Sequence, residues 1–318
     1  MTDSAGYSVV VFARNEVATP PACLEAIARD LATALLGAGG GTANSSLCVV
    51  LNGCDDGSRD VLLRFARTSP LAVNGLEIDF PDKSNAWNQY IHVLAPPAGA
   101  HVFVDGYATL APGSIAALAD ALARKPRANA ATGLPSVGRS ATRQRQSLLR
   151  NGGLHGSLHA LPGHFVARIR AAGLRLPVGL YRGDGLIGSF AMHDLDPANA
   201  WDTSRVVAVA DATWGLPRFN LAQVPKHLRR RVNQARGRLE SAAIKEIIYG
   251  HTPRNGYAAL PTHADAMLLQ YLDTHPLARP HWHDLAGRLA VRQLSRRREP
   301  SAAQAGCQAL LPGEVNPE

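Results

Sequence analysis

The sequence has few cysteines, and their spacing suits no metal or disulfide chemistry. Cys23, Cys48, Cys54 and Cys307 form no C-x-x-C pair, so neither a disulfide framework nor a zinc site is expected. Cys48 sits in an apolar run and Cys23 in a helical pattern, where each reads as a small core residue. Long apolar runs are also lacking: nothing reaches the ~18 uninterrupted apolar residues of a membrane-spanning helix. The stretch Met1 to Tyr7 has no basic segment leading into an apolar one, so no secretory leader is expected. The expectation is a cytoplasmic protein with at most peripheral membrane contact. Aromatic residues are only 6% of the chain. No aromatic-rich strand motif accompanies the positive charge, which argues against nucleic acid as a partner. No internal repeat is present.

What remains is a globular balance. The 318 residues are 46% apolar and 18% charged, enough for a buried core in one large α/β domain or a domain with a smaller appendage. The net charge of +8 favours polyanions in general, nucleotides and phosphorylated carriers among them. The excess is clustered at Arg143, Arg145 and Arg150, at Lys226, Arg229, Arg230, Arg231, Arg236 and Arg238, and at Arg296 to Arg298. Each cluster taken singly reads as a solvated surface.

The apolar pattern alternates between strand and helix. Tyr7 to Ala13, Leu47 to Leu51, Leu71 to Ile78, His101 to Val104 and Ala128 to Gly133 read as strands. Between them, helices are expected from Pro20, over Asp60 to Ala66, over Lys83 to Leu94 and after Pro112. The rest is less regular: a short helix over Arg143 to Arg150, a strand over Leu158 to Leu161 and a helix over His164 to Ala172. A strand over Val206 to Ala210, a long basic helix over Val224 to Ile248 and an apolar helix over Ala264 to Leu272 follow. This order predicts an α/β fold with a mostly parallel central sheet, helices on both faces and a C-terminal helical extension. The expected division is a catalytic domain over 1–250, the extension over 251–300 and a loose tail over 301–318. In such sheets ligands bind beyond the carboxyl ends of the strands. Three of those ends carry polar loops: Arg14-Asn15-Glu16, Asn52 to Ser58 and Asp105-Gly106-Tyr107.

Five short motifs, in order, carry a resemblance. They are SVVVFARNE from Ser8, VVLNGCDDGSRD from Val49, DKSNAWNQYI from Asp82, HVFVDGYATLAPGSIAAL from His101 and LYRGDGLIGSF from Leu180. Together they resemble glycosyltransferases of the family-2 type, which have the GT-A fold. The resemblance implies a nucleotide-diphospho-sugar donor and a hydroxyl acceptor, lipid-linked or polysaccharide. It also implies a divalent cation, manganese or magnesium, bridging the donor diphosphate. Donor contacts are then expected from Ala13, Arg14, Glu16, Asn52, Asp55, Asp56, Lys83 and Asp105. Phosphate contacts are expected from Arg230 and Arg231. Asp184 takes the role of general base, as an inverting transfer requires near the acceptor hydroxyl.

Several of these residues also have plain structural readings. Asp56-Gly57 is a common tight turn, Lys83 a helix-start lysine, and Asn85, Asn88 and Asp184 helix caps. His155 and His159 fall in the family's acceptor segment, but a surface or hydrogen-bonded core position is the commoner reading of such a histidine. The acidic motif also departs from the family, because Asp-x-Asp is here Asp105-Gly106-Tyr107. Three arrangements are open. Asp105 holds the cation with help from Asp82, Asp184 or His193; or the enzyme works without metal through Arg or Lys and the Tyr107 hydroxyl; or the chain is a degenerate, non-catalytic relative. A sugar-phosphate nucleotidyltransferase is a further alternative, although the Gly-rich basic loop after the first strand is missing. His281 to Arg298 has the pattern of a basic amphipathic helix, suited to packing on the domain or lying on anionic lipid.

Overall fold

The computed structural model describes residues 6–15, 20–37, 45–137, 140–215, 224–249, 256–276, 289 and 307–310. The first half alternates as the apolar pattern predicts: β1 (Tyr7–Ala13), α1 (Pro20–Gly37), β2 (Ser46–Asn52), α2 (Ser58–Thr68), β3 (Val73–Ile78) and α3 (Lys83–Gln89). There follow β4 (Ala100–Asp105), β5 (Thr109–Leu110), α4 (Ser114–Arg124), β6 (Ala130–Pro135), α5 (Ala141–Asn151), β7 (Leu158–Pro162) and α6 (Gly163–Ala171). The chain then forms α7 (Gly183–Met192), β8 (Val206–Gly215), α8 (Val224–Tyr249), α9 (Ala264–Thr274) and β9 (Cys307–Ala309).

The strands join into one sheet in the order β5-β8-β6-β7-β4-β1-β2-β3-β9. β1 is parallel to both β2 and β4, and β2 to β3. β1, β2 and β4 are nearly continuous apolar runs because helices cover both of their faces. Val9 and Val11 turn to one side, where Leu24, Ile27 and Leu31 of α1 and Ile115 and Leu118 of α4 meet them. Val10 and Phe12 turn to the other, against Trp87 of α3, Phe165 of α6 and Phe190 of α7. Ala243 of α8 and Met267 and Leu268 of α9 belong to the same cluster.

Beyond β4 the sheet becomes mixed. β7 runs antiparallel to both β4 and β6, and β6 is parallel to β8. A five-residue apolar strand has the same sequence pattern in either direction, so its polarity was not predictable. The helix expected over Lys83 to Leu94 changes character at Tyr90, where a π-helical turn covers Tyr90–Leu94. The turn closes with the Ala95 N–H donating to the Tyr90 carbonyl at 2.7 Å. The Tyr90 hydroxyl is buried, 2.8 Å from Ser8 Oγ and 2.8 Å from His101 Nδ1.

Within the stretch 301–318, expected as a loose tail, Cys307–Ala309 instead pairs antiparallel with β3. For these residues the expectation is corrected. Without β9, β3 would present an unpaired row of backbone groups, and backbone pairing leaves no clear side-chain signature. The segment His281 to Arg298 lies outside the described residues, apart from residue 289. Among the described residues no helix is long and apolar enough to cross a membrane.

Two buried histidines tie this core to pH. His101 is 2% exposed, and burial, with the Arg170 charge, lowers its pKa to about 4. His159 lies stacked on Phe103 with ring centroids 4.7 Å apart. Burial first, then the Lys83 charge, lowers its pKa to about 3. The unfolded chain protonates both near 6.5. Between that pH and about 4 the unfolded state therefore binds more protons, and stability falls as pH drops. Going from pH 7 to 5 should cost about 2 kcal/mol per histidine. Urea denaturation at the two pH values measures it; equal midpoints would mean that neither histidine is held neutral.

Candidate active site

The polar loops expected at the strand ends do meet. At the exit of β1, Arg14 is exposed and Asn15 takes a left-handed φ of 51°. Asn15 Nδ2 donates to Asp55 Oδ1 at 2.6 Å, and the Asp55 N–H donates back to Asn15 Oδ1 at 3.0 Å. The Cys54 thiol reaches the Ala13 carbonyl at 3.5 Å. The exits of β1 and β2 are thus stitched side to side. Asp56 is used differently: its carboxylate accepts from the Ser58 N–H at 3.1 Å and the Ser58 hydroxyl at 2.5 Å, ahead of α2. This is the tight-turn geometry of an Asp-Gly pair, with Gly57 at φ 63°. Glu16 lies outside the described residues, as do the side chains of Arg230 and Arg231.

Asn52 is 4% exposed, and its Oδ1 accepts from the Asp82 N–H at 2.7 Å. Asp82 in turn caps α3, accepting from the Asn85 N–H at 2.7 Å, while its other oxygen accepts from Gly179 N–H at 2.9 Å. Asn88 exchanges two hydrogen bonds with the Leu176 backbone, each 2.8 Å, and the Ser84 hydroxyl donates to the Leu180 carbonyl at 3.0 Å. The segment DKSNAWN therefore grips the loop 176–180 that leads into α7. Lys83, at the first position of α3, is left pointing at Asp105.

Asp105 ends β4 and is buried, with only 8% of its side chain exposed. Its Oδ1 pairs with the Lys83 ammonium. Its Oδ2 accepts from the Tyr107 hydroxyl at 2.6 Å and the Ser157 hydroxyl at 3.1 Å. The residue between must be small: a Cβ on Gly106 would stand 3.0 Å from the Ala13 Cα. Lys83 Nζ also donates to the Gly156 carbonyl at 3.3 Å. The Gly156 N–H donates to Asp184 Oδ2 at 3.2 Å. A Cβ on Gly156 would meet both the Lys83 Nζ, at 3.3 Å, and Asp184 Oδ2, at 3.5 Å. Asp105, Lys83 and Asp184 thus converge around Gly156.

Asp184 is in the first turn of α7, two residues after the N-cap Arg182. The N-cap reading is corrected accordingly. A carboxylate in a first helical turn is still favoured by the helix dipole. Asp82 and His193, considered as partners of Asp105, are engaged elsewhere. His193 follows α7, with Nδ1 2.7 Å from the Asn199 carbonyl and Nε2 against the Tyr249 hydroxyl. His159 is a core residue. His155 tilts over Trp214 at 4.7 Å, and its Nδ1 accepts from the Ser157 N–H at 3.2 Å.

Two parts of the site were not singled out in the sequence. Ser157 precedes β7, where only the antiparallel pairing brings it to Asp105. Arg236, counted with a basic surface cluster, is 3% exposed, and Glu240 is fully buried. Arg236 Nε donates to Glu240 Oε1 at 2.7 Å, and its Nη2 donates to the Gly179 carbonyl at 3.0 Å and contacts Asp265. Glu240 Oε2 accepts from the N–H groups of Tyr181 and Arg182 at 2.9 and 3.3 Å. Their four-residue spacing, beside Leu239 and Ala243 on α8, was the available signal.

The arrangement can be compared with solved structures. The mannosyltransferase PcManGT from Pyrobaculum calidifontis, in complex with GDP-Man and Mn2+, superposes with a TM-score of 0.58 at 17% identity, covering 93% of this chain and 81% of that one. TarS 1-349 from S. aureus gives 0.51 at 12% identity, over 91% and 77%. GalNAc-T7 with UDP, GalNAc and Mn2+ gives 0.50 at 12% identity, over 91% of this chain and 58% of that one. The chain has the GT-A fold. No protein-family model matches the sequence, and no curated protein does.

In GT-A terms, the residues here do not fit a cation held by an Asp-x-Asp pair. The second acid is Tyr107, and three donors already occupy the two oxygens of Asp105. Among the described residues no group of three His, Cys, Asp or Glu side chains could hold a metal ion. A cavity of about 310 Å³ lies behind the α3 clamp, bounded by Asn85, Asn88, Arg175 and Tyr257. No carboxylate lines it, so it is separate from the cluster around Gly156.

Proposed function

We propose that this GT-A chain is an inverting glycosyltransferase of the family-2 type, moving a sugar from a nucleoside-diphosphate donor to a hydroxyl acceptor. The observation that carries the reading is the convergence of Asp105, Lys83 and Asp184 around Gly156, beyond the carboxyl ends of β1, β2 and β4. In GT-A sheets, as in other open α/β sheets, that edge is where a ligand fits. The nucleoside lies on the stitched loops, against Ala13, Arg14 and Glu16, with Asp55 accepting from the base. Asn52 and Asp56 shape those loops. Lys83 meets the diphosphate, joined by Arg230 and Arg231 of α8.

Asp184 accepts the proton of the acceptor hydroxyl as its oxygen attacks the anomeric carbon. The bond from that carbon to the diphosphate oxygen breaks on the opposite face, and its electron pair leaves with the nucleotide. Configuration inverts in a single displacement. Gly183 and Gly185 flank Asp184, and a Cβ on Gly185 would meet nothing within 4 Å, so the acceptor can approach closely. A cytoplasmic site of action goes with this reading, where the acceptor is a lipid-linked or polysaccharide hydroxyl.

Thermal stabilisation by UDP-, GDP- and dTDP-sugars tests the donor assignment. One nucleotide series should raise the melting temperature, and the size of the rise follows its Kd. A flat response to all three would remove the donor site. Binding without release of nucleoside diphosphate, across a set of acceptors, would support a non-catalytic relative instead.

A further inference from the structure

We infer that the donor site works without a divalent cation: the Lys83 ammonium supplies the charge beside the diphosphate, and Tyr107 closes the position from which a second carboxylate would hold an ion. The inference rests on the donor-site reading above.

Three observations carry it. First, Asp105 is already engaged by three donors, which take three of a carboxylate's roughly four acceptor positions. Its Oδ2 already receives two hydroxyl donors, Tyr107 at 2.6 Å and Ser157 at 3.1 Å, and its Oδ1 receives Lys83. A carboxylate that binds a hard cation offers these same lone pairs to it, so an ion would compete with the donors already there, on Oδ1 directly beside the Lys83 ammonium. Second, the charge is already balanced. Lys83 neutralises Asp105, and a divalent ion on that carboxylate would sit against an ammonium and be repelled. Third, Lys83 is built to reach a phosphate. Two of its three N–H donors go to Asp105 and the Gly156 carbonyl, and 47% of the side chain remains exposed. The remaining donor can meet a phosphate oxygen, as lysines do at phosphate sites. Tyr107 is an exposed edge of the same cluster, 36% accessible, and its hydroxyl lies 3.3 Å from Ser157 Oγ. Tyr107 stands at the sequence position that an Asp-x-Asp motif gives to its second acid.

Isothermal titration with UDP and with GDP, each in EDTA and in manganese chloride, tests this on the full chain. The expected Kd of the nucleotide that binds differs by less than about twofold between the two buffers. Lys83→Met should weaken binding in EDTA by about tenfold or more. Tyr107→Asp restores a second carboxylate and should make binding manganese-dependent by roughly tenfold. Circular dichroism melts check that both variants fold. Should Lys83→Met not fold, the wild-type comparison and Tyr107→Asp still decide. Wild-type binding seen only with manganese would overturn the inference and leave the donor site standing. So would unchanged affinity of Lys83→Met in EDTA. No binding of either nucleotide in either buffer, with dTDP equally silent, would overturn the donor-site reading itself.

Discussion

Replacing Asp184 by Asn should lower sugar transfer by about 10²- to 10⁴-fold, the usual contribution of a positioned general base. Nucleotide affinity should stay within roughly twofold, because a base acts on the acceptor and not on the donor. The amide keeps an oxygen for the Gly156 N–H, which donates to Asp184 Oδ2 at 3.2 Å, while the Gly185 N–H, 2.9 Å from Oδ1, gives up its acceptor. The measurement is nucleoside diphosphate release under saturating donor, with titration of the same nucleotide on both proteins. If donor affinity falls as far as turnover does, Asp184 belongs to the donor site or to the fold of the loop, and the base must be sought elsewhere.

The second large effect lies away from the reacting groups. Glu240→Ala should destabilise the protein by about 3 kcal/mol, the lower end of the cost of breaking a buried ion pair, because Arg236 keeps Asp265 as a carboxylate partner. Glu240 is 0% exposed and Arg236 3%. The substitution leaves the guanidinium without its Nε partner, and the N–H groups of Tyr181 and Arg182 lose theirs. Burial pushes the Glu240 carboxyl above its ordinary pKa, while Arg236 and the two amides pull it back. The pair therefore carries a desolvation cost of its own, and Arg236→Met combined with Glu240→Leu should lie closer to wild type than the single change. Urea denaturation decides. A loss below about 1 kcal/mol for Glu240→Ala would mean that water reaches the pair. The double variant carries a second expectation. Its loop 179–182 loses the anchors to α8, so turnover should fall further than stability does, since that loop leads directly into Asp184.

Legibility of the site varied with the kind of interaction. The alternation of apolar runs was enough to find β1, β2 and β4 and the helices between them, because a strand covered on both faces must be apolar throughout. It was also enough to find the three polar exits. It did not separate Asp55 from Asp56, since both are acids in one turn. The hydrogen bonds do: one faces Asn15 and the other Ser58. Nor did it distinguish Lys83, Asn85 and Asn88 as ligand contacts from their part in clamping the 176–180 loop. In the folded chain, Asn88 holds Leu176 and Lys83 reaches Asp105.

The sequence by itself determined the α/β class, the order of most elements and the strand ends that carry the polar loops. Periodicity and turn residues are local properties, and they survive in a one-dimensional reading. Only the tertiary structure decided that β7 runs antiparallel between β4 and β6, that Cys307–Ala309 covers β3, and that Arg236 is buried. Each depends on which segment lies alongside, through backbone pairing or a charge partner far along the chain. The same holds for Asp105, whose neighbours Lys83 and Ser157 are 22 and 52 residues away. A carboxylate's role is set by the donors around it, and those donors were assembled by the fold.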